Sequence, residues 1–257
     1  MWIRQELKFR AKKAFKANYW KSVLVGLIMT VVTEGFTFYS TFNITEEQAE
    51  AAMNGASIKL SDFLSLTFNN SNPFFAAGFS IFTIAISILL LNPAIVGCDN
   101  FYFNNRKDPT TDLKPLGVAF SDNYGNIVKT MFFQDLFIFL WSLLLVIPGI
   151  IKLYQYRLVP FILAENPDMD YKDVLERSKE LMYGSKMKAF ILDLSFIGWA
   201  ILGGMTLGIL LFFFVAPYIY ATDAELYMAL AHPDESKRVG LAVPDAETVE
   251  FEVKKED

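Results

Sequence analysis

Two stretches of this chain, Pro73–Cys98 and Ile197–Ala221, contain no charged residue, and a third, Ser22–Tyr39, contains only Glu34. A helix needs about 20 apolar residues to cross a hydrocarbon core of about 30 Å. These blocks reach that length, and a chain carrying three of them has few folds open to it. Composition agrees: 53% of the residues are hydrophobic, with 25 Phe, 11 Tyr and 4 Trp. A soluble domain must cover itself with more polar surface than that. The sequence therefore predicts an all-α fold, a polytopic membrane bundle of about six short, kinked helices in three hairpins, with amphipathic helices at the interface.

The formal charge of −5 hides a segregation of signs. Arg4, Lys8, Arg10, Lys12, Lys13, Lys16 and Lys21 crowd the start, and 12 of the 28 acidic residues sit in 41–72 and after His232. Residues 3–17 place Ile3, Leu7, Ala11, Ala14 and Phe15 at helical spacing. This reads as a helix lying on an anionic cytoplasmic leaflet through Lys8, Arg10, Lys12, Lys13 and Lys16. A charged region reaching Lys21, with no small-x-small site after the first apolar run, does not fit a cleaved signal peptide. In the polar loop 41–72, Thr45-Glu46-Glu47-Gln48 is a capping-box pattern. Topology turns on 165–188. One simple crossing over 127–151 would put Lys172, Arg177, Lys179, Lys186 and Lys188 outside, against the positive-inside rule. A hairpin turn at Pro148-Gly149 removes the conflict, and six crossings follow, with five as the alternative. The spans are expected at about 20–40, 73–97, 127–147, 150–166, 189–203 and 208–230, inside a membrane domain over 20–231. An interfacial helix over 1–19 precedes it. An acidic tail over 232–257, expected to lack fixed structure, follows. Both termini then face the cytoplasm.

The entries and exits of the apolar runs echo one another. Entries are Phe15-Lys16-Ala17-Asn18-Tyr19-Trp20-Lys21, Phe120-Ser121-Asp122-Asn123-Tyr124-Gly125-Asn126 and Met182-Tyr183-Gly184-Ser185-Lys186-Met187-Lys188. Exits pair a proline with a later carboxylate: Pro93 with Asp99, Pro160 with Glu165, Pro217 with Asp223. The segments Ile147-Pro148-Gly149-Ile150-Ile151-Lys152 and Tyr156-Arg157-Leu158-Val159-Pro160-Phe161-Ile162-Leu163-Ala164-Glu165-Asn166-Pro167 resemble a bacterial integral-membrane family catalogued as domain of unknown function 975. The first entry, Leu192-Asp193-Leu194-Ser195-Phe196-Ile197-Gly198-Trp199, and Pro217-Tyr218 through Ala224-Glu225-Leu226-Tyr227 fit the same pattern. The resemblance covers about residues 1–230. It implies the envelope of mostly Gram-positive bacteria and no established activity. The Ile-Pro-Gly turn and the proline-acid exits are similar, more distantly, to the membrane domains of glycerophosphodiester phosphodiesterases. No phosphodiesterase catalytic domain accompanies them here.

Charges at membrane depth are costly and mark sites. The candidate polar cluster is Asp135, Lys152, Arg157 and Asp193, read first as structural ion pairs and alternatively as a transport path. The candidate kinks and turns are Pro93, Pro148, Gly149, Pro160 and Pro217. The exit acids read as helix caps or partners of a basic entry segment, with a cation-binding ring as the alternative. His232 is the only histidine and Cys98 the only cysteine, so no triad, metal site or cofactor is expected and catalysis is not. The leading functional expectation is a non-enzymatic membrane protein acting in envelope organisation or as a membrane partner of an unknown protein. A small transporter or channel is the second. The third, a lipid-binding protein, calls for a basic headgroup pocket near Lys152 and Arg157. No nucleic-acid partner is expected.

Overall fold

The structure, a computed structural model, describes residues 2–42, 82, 84–108, 110–121, 123–206 and 208–236. Among the described residues there are helices and turns but no strand. In chain order the helices are α1 (Arg4–Ala17), α2 (Tyr19–Phe42), α3 (Asn92–Lys107), α4 (Tyr124–Leu144) and α5 (Val146–Tyr156). They continue with α6 (Val159–Glu165), α7 (Tyr171–Leu181), α8 (Lys186–Leu194), α9 (Ile197–Met205) and α10 (Ala216–Ala231). Single π-helical turns, Ser87–Leu91 and Leu211–Val215, lead into α3 and α10, and a 3-10 helix, Lys114–Phe120, precedes α4. Four helical arms, Ile84–Lys107, Tyr124–Leu144, Val146–Glu165 and Lys186–Met205, are long and apolar enough to cross a membrane. The fold is an all-α bundle of membrane type. The capping box at Thr45 and the side chain of Glu34 lie outside the described residues.

The three exit prolines share a position. Each stands in the first turn of a helix, α3, α6 or α10, where its missing N–H costs that helix nothing. The cost falls on the preceding turn, whose carbonyl four residues back loses its donor. Pro93 strands the carbonyl of Leu89, and the Tyr124 hydroxyl donates to it at 2.5 Å. Pro217 strands the carbonyl of Phe213, and the Tyr19 hydroxyl donates there at 3.2 Å. Both tyrosines belong to the aromatic entry motifs. A π-helical turn immediately precedes the helix in each case, absorbing the geometric misfit of the ring. At Pro160 the chain instead breaks at Arg157–Leu158 between α5 and α6, and the Ser178 hydroxyl donates to the Gln155 carbonyl at 2.8 Å.

Burial divides the arms. Leu7, Ala11 and Phe15, one face of α1, are buried against α10, which also packs on α2 and α3. Phe101, Tyr102, Leu158, Phe161, Leu163, Leu226 and Tyr227 complete a core in which α3, α6 and α10 meet. Away from this core the hairpin tips are bare: Leu143, Leu144, Leu145, Val146 and Ile147 are 62–74% exposed. Met205 and Ile209 flank the second tip at 78% and 63%. A contiguous apolar surface of this kind is untenable in water and unremarkable in hydrocarbon.

Two expectations need correcting. The α4–α5 hairpin turns at Leu145, whose extended backbone (φ −161°, ψ 143°) separates the helices, not at Pro148-Gly149. Pro148 lies in the first turn of α5, and Gly149 lets α5 approach Ser142 of α4, where a Cβ would collide. The second reversal falls in the expected gap after residue 203, with turns at Thr206 and at Gly208, whose φ is +84°. The tail does not lose structure at His232: residues 233–236 are helical, Ser236 is buried, and its carbonyl accepts a bond from Arg10 at 2.8 Å.

Close approach makes Gly97 a test of this packing. A Cβ there meets the backbone of Leu116 in the 3-10 helix, whereas Gly125 faces open space. Gly97→Val is expected to destabilise the protein by about 1–3 kcal/mol, as overpacking of a filled site does. Gly125→Ala is expected to stay within about 0.5 kcal/mol. Thermal unfolding in detergent compares the two, and equal effects would contradict the contact.

Candidate functional site

The break after Tyr156 sets Arg157 at the meeting point of three helices. Its Nη1 donates to Asp193 Oδ2 of α8 at 2.7 Å and its Nη2 to Asp193 Oδ1 at 2.8 Å, a two-pronged pair. Nη2 also donates to Asp223 Oδ1 of α10 at 2.6 Å. The Tyr154 hydroxyl adds a bond to Asp193 Oδ2 at 2.7 Å. The planar guanidinium suits such forked recognition, which lysine cannot copy. Asp99 of α3, only 5% exposed, stands within electrostatic reach of both Asp223 and Arg157. No hydrogen-bond donor among the described residues reaches its carboxylate. Two exit acids, Asp99 and Asp223, thus converge on one arginine in the middle hairpin.

A second buried network lies where α1 meets the bundle. Glu225 of α10 sits between Arg10 Nε and Arg106 Nε, 3.1 Å from each, with all three side chains at most 4% exposed. The Arg10–Glu225 contact is an ion pair without hydrogen-bond alignment. Arg10 also pairs with Glu6 at 3.2 Å. The third exit acid, Glu165, accepts from the Tyr227 hydroxyl at 2.5 Å and lies 3.0 Å from His232 Nε2. Two of the three exit acids, Asp223 and Glu165, therefore tie their own helix to another.

Of the four residues of the expected cluster, only Arg157 and Asp193 come together. Lys152 stands over the rings of Trp141 and Tyr156, 4.9 and 5.6 Å from their centroids. A cation on an aromatic face two turns from the apolar tip is stabilised without a carboxylate. Asp135 points to the edge of the bundle and accepts from Asn92 Nδ2 at 2.6 Å, a turn from the π-helical segment. The Arg157 guanidinium is committed to two carboxylates rather than left open for a headgroup. Arg10 leaves the set of cations facing a leaflet, since its charge is buried against Glu225. Lys12, Lys13 and Lys16 remain exposed. Cys98 is a buried free thiol.

Sequence reasoning missed Asp223 and Asp99 as partners of Arg157, and missed Arg10, Arg106 and Glu225 altogether. The signal for the first was present in the shared six-residue spacing from Pro93 to Asp99 and from Pro217 to Asp223. For the second, Arg10 falls on the helical face of Leu7 and Ala11 rather than opposite it.

The family model described as "Protein of unknown function (DUF975)" matches residues 1–233. No curated protein and no solved structure matches the chain, and the likeness to phosphodiesterase membrane domains finds no support in these comparisons.

The hub should behave as an ion network, not as a greasy contact. Arg157→Gln leaves Asp193 and Asp223 without their counter-ion and is expected to cost about 3–5 kcal/mol. Adding Asp193→Asn and Asp223→Asn to that variant is expected to recover part of the loss, because the stranded charges go with it. Unfolding in detergent measures both, and additive losses would refute the pairing.

Proposed function

The chain belongs to the family of unknown function DUF975, and on that premise we propose that it is a non-enzymatic integral membrane protein of the bacterial envelope. In this reading it holds a partner protein at the cytoplasmic face. The observation that carries the reading is the use made of the buried charges. Arg157, Arg10, Arg106, Glu225 and Glu165 each bind one helix to another, which serves a rigid scaffold. Beside them α7 turns Lys172, Asp173, Glu176, Arg177, Lys179 and Glu180 outward, a mixed-charge face not needed for its own packing, which rests on Val174, Leu175 and Ser178. Such a face suits a protein partner better than a lipid surface, which would select one sign.

The placement in the membrane is part of the proposal. The basic entry segments and both termini lie on the cytoplasmic side, in the plasma membrane of a Gram-positive cell. Paired arms achieve this, because each hairpin returns the chain to the side it left. The tips at Leu145 and at 206–208 carry no charge between Trp141 and Ile151 or between Gly203 and Phe213, so they end in the acyl layer. The echoing entries and exits are read as a unit used three times.

A second reading rests on Asp99. Three carboxylates around one guanidinium leave an excess of negative charge, which a transported proton or small cation would satisfy. Proteoliposomes loaded with a pH-sensitive dye distinguish the two. The scaffold reading expects no flux above empty vesicles; flux that Asp99→Asn abolishes would replace it with a transporter.

The partner reading is tested by a photocrosslinker at Asp173, another exposed position of α7, in native membranes. It expects one dominant protein adduct, lost when Glu176 and Glu180 are changed to Lys and retained when Lys12 and Lys13 are changed to Gln. Adducts insensitive to the α7 charges would sink it. For topology, a reporter fused after Asn166 is expected to read cytoplasm. In a Cys98→Ser background, a cysteine at Leu145 is expected to resist an impermeant maleimide applied from outside; external labelling there would show that the tip emerges.

A further inference from the structure

Where α1 begins, its first residues and α8 enclose a groove of about 350 Å³ lined by Trp2, Ile3, Arg4, Gln5, Lys188 and Ile191. Three cations gather on it or next to it. Arg4 and Lys188 line it, and neither meets an acid among the described residues. Lys8, one turn along α1 from Arg4, has no carboxylate partner there either. It donates to the Ser195 carbonyl at 3.2 Å and lies over the Phe196 ring at 3.9 Å. Burial, and after it the Arg4 guanidinium, lower Lys8 from its ordinary value. Arg10, Arg106 and Arg157 have counter-ions inside the protein; the exposed Arg4 and half-buried Lys188 have none among the described residues.

The lining also has a direction. The Trp2 indole N–H donates to Ser185 Oγ at 3.4 Å, which fixes the ring at the start of α8, the level where interfacial aromatics sit. Ile3 and Ile191 are 61% and 43% exposed. From Ile191 the bare apolar surface runs on through Leu194 and Ile197, at 45% and 49%. The groove is thus cationic at one end and opens onto a lipid-facing helix surface at the other. A ligand that satisfies both ends carries an anionic group and an apolar body. A guanidinium and an ammonium from two different helices suit the several oxygens of a phosphate.

We propose that this groove binds the phosphate of an anionic phospholipid headgroup, with the acyl chains lying along α8. The site would dock α1 to α8 through the lipid, in addition to its direct packing on α10. The inference rests on the membrane placement of the bundle and is independent of whether α7 holds a protein partner, so either can fail without the other.

Native mass spectrometry of the purified full chain tests it, with phosphatidylglycerol, phosphatidylcholine and free glycerol phosphate as probes. Phosphatidylglycerol is expected to be retained over phosphatidylcholine by about tenfold, since each interfacial cation contributes measurably to anionic-lipid binding. The Arg4→Gln/Lys188→Gln variant should fall to the phosphatidylcholine level while its unfolding in neutral detergent is unchanged. The Lys13→Gln/Lys16→Gln variant, which removes equal charge outside the groove, should keep the preference. The single variants Arg4→Gln and Lys188→Gln give intermediate retention and serve if the double variant is unstable. Equal retention of the two lipids would overturn the proposal, as would an equal loss in the Lys13/Lys16 control, which reports diffuse charge and no site. Glycerol phosphate is expected to compete poorly. Tight binding of it that depends on Arg4 and Lys188, with no lipid preference, would assign the groove to a soluble phosphate and overturn the lipid assignment.

Discussion

A backbone carbonyl that loses its helical donor inside an apolar medium has no water to turn to. In this bundle that constraint falls at fixed places, because each returning arm carries a proline near its polar end. Pro93 frees Leu89 and Pro217 frees Phe213, and the donors that replace the lost N–H groups come from elsewhere in the chain: Tyr124 from the start of α4, Tyr19 from the start of α2. Each bond therefore sews one hairpin to another at the level where apolar runs begin. The tyrosine that rims one apolar run and the proline that ends another are two halves of a single contact.

The charges obey the same economy of satisfaction. Six residues past Pro93 and Pro217, close to two turns of helix, Asp99 and Asp223 are carried to the buried side of α3 and α10; Asp223 bonds Arg157, and Asp99 lies within electrostatic reach of both. Taking such groups out of water is expensive, and the hydrogen bonds from Arg157 to Asp223 and from Arg157 and Tyr154 to Asp193 offset part of it only while the geometry holds. An ion network of this kind adds less to stability than its short distances imply. It does discriminate strongly against alternative helix registers, because a slip of one residue would bury the acids unpaired.

Much of this fold was legible in the sequence. Apolar blocks of spanning length, aromatic entries and the basic segment at 165–188 led to paired helical arms. The helix at α7 followed from the apolar side of Val174, Leu175, Leu181 and Met182, and the structure adds its Asp170 cap, which accepts from the Lys172 N–H. What was not legible has physical causes. Pro148-Gly149 looks like a turn, but proline is equally at home in the first turn of a helix, and the reversal fell at Leu145, a residue with no turn propensity. Asp135 and Lys152 were grouped with Arg157 because charge at membrane depth asks for a partner. An amide, Asn92, and two aromatic rings, Trp141 and Tyr156, proved sufficient partners. Arg10 was placed with the leaflet-facing cations by its neighbours in sequence, while its register on α1 put it inward beside Leu7 and Ala11.

The middle hairpin breaks the pattern, and the break is informative. The tyrosine of the third entry, Tyr183, is 86% exposed and caps nothing, and no π-helical turn precedes Pro160. The misfit that α3 and α10 absorb by widening one turn is resolved here by interrupting the helix between α5 and α6. An interruption frees the residue just before it to leave the lipid-facing surface, and that residue is Arg157. Had a tyrosine cap kept this arm continuous, as in the other two, the guanidinium would be held on a regular helix and could not reach Asp193 and Asp223 together. The loss of one carbonyl cap and the gain of the charged hub are thus the same local event. Asp223 has its partner, and Asp99 its nearby positive charge, because the middle arm is the one that departs from the geometry of the other two.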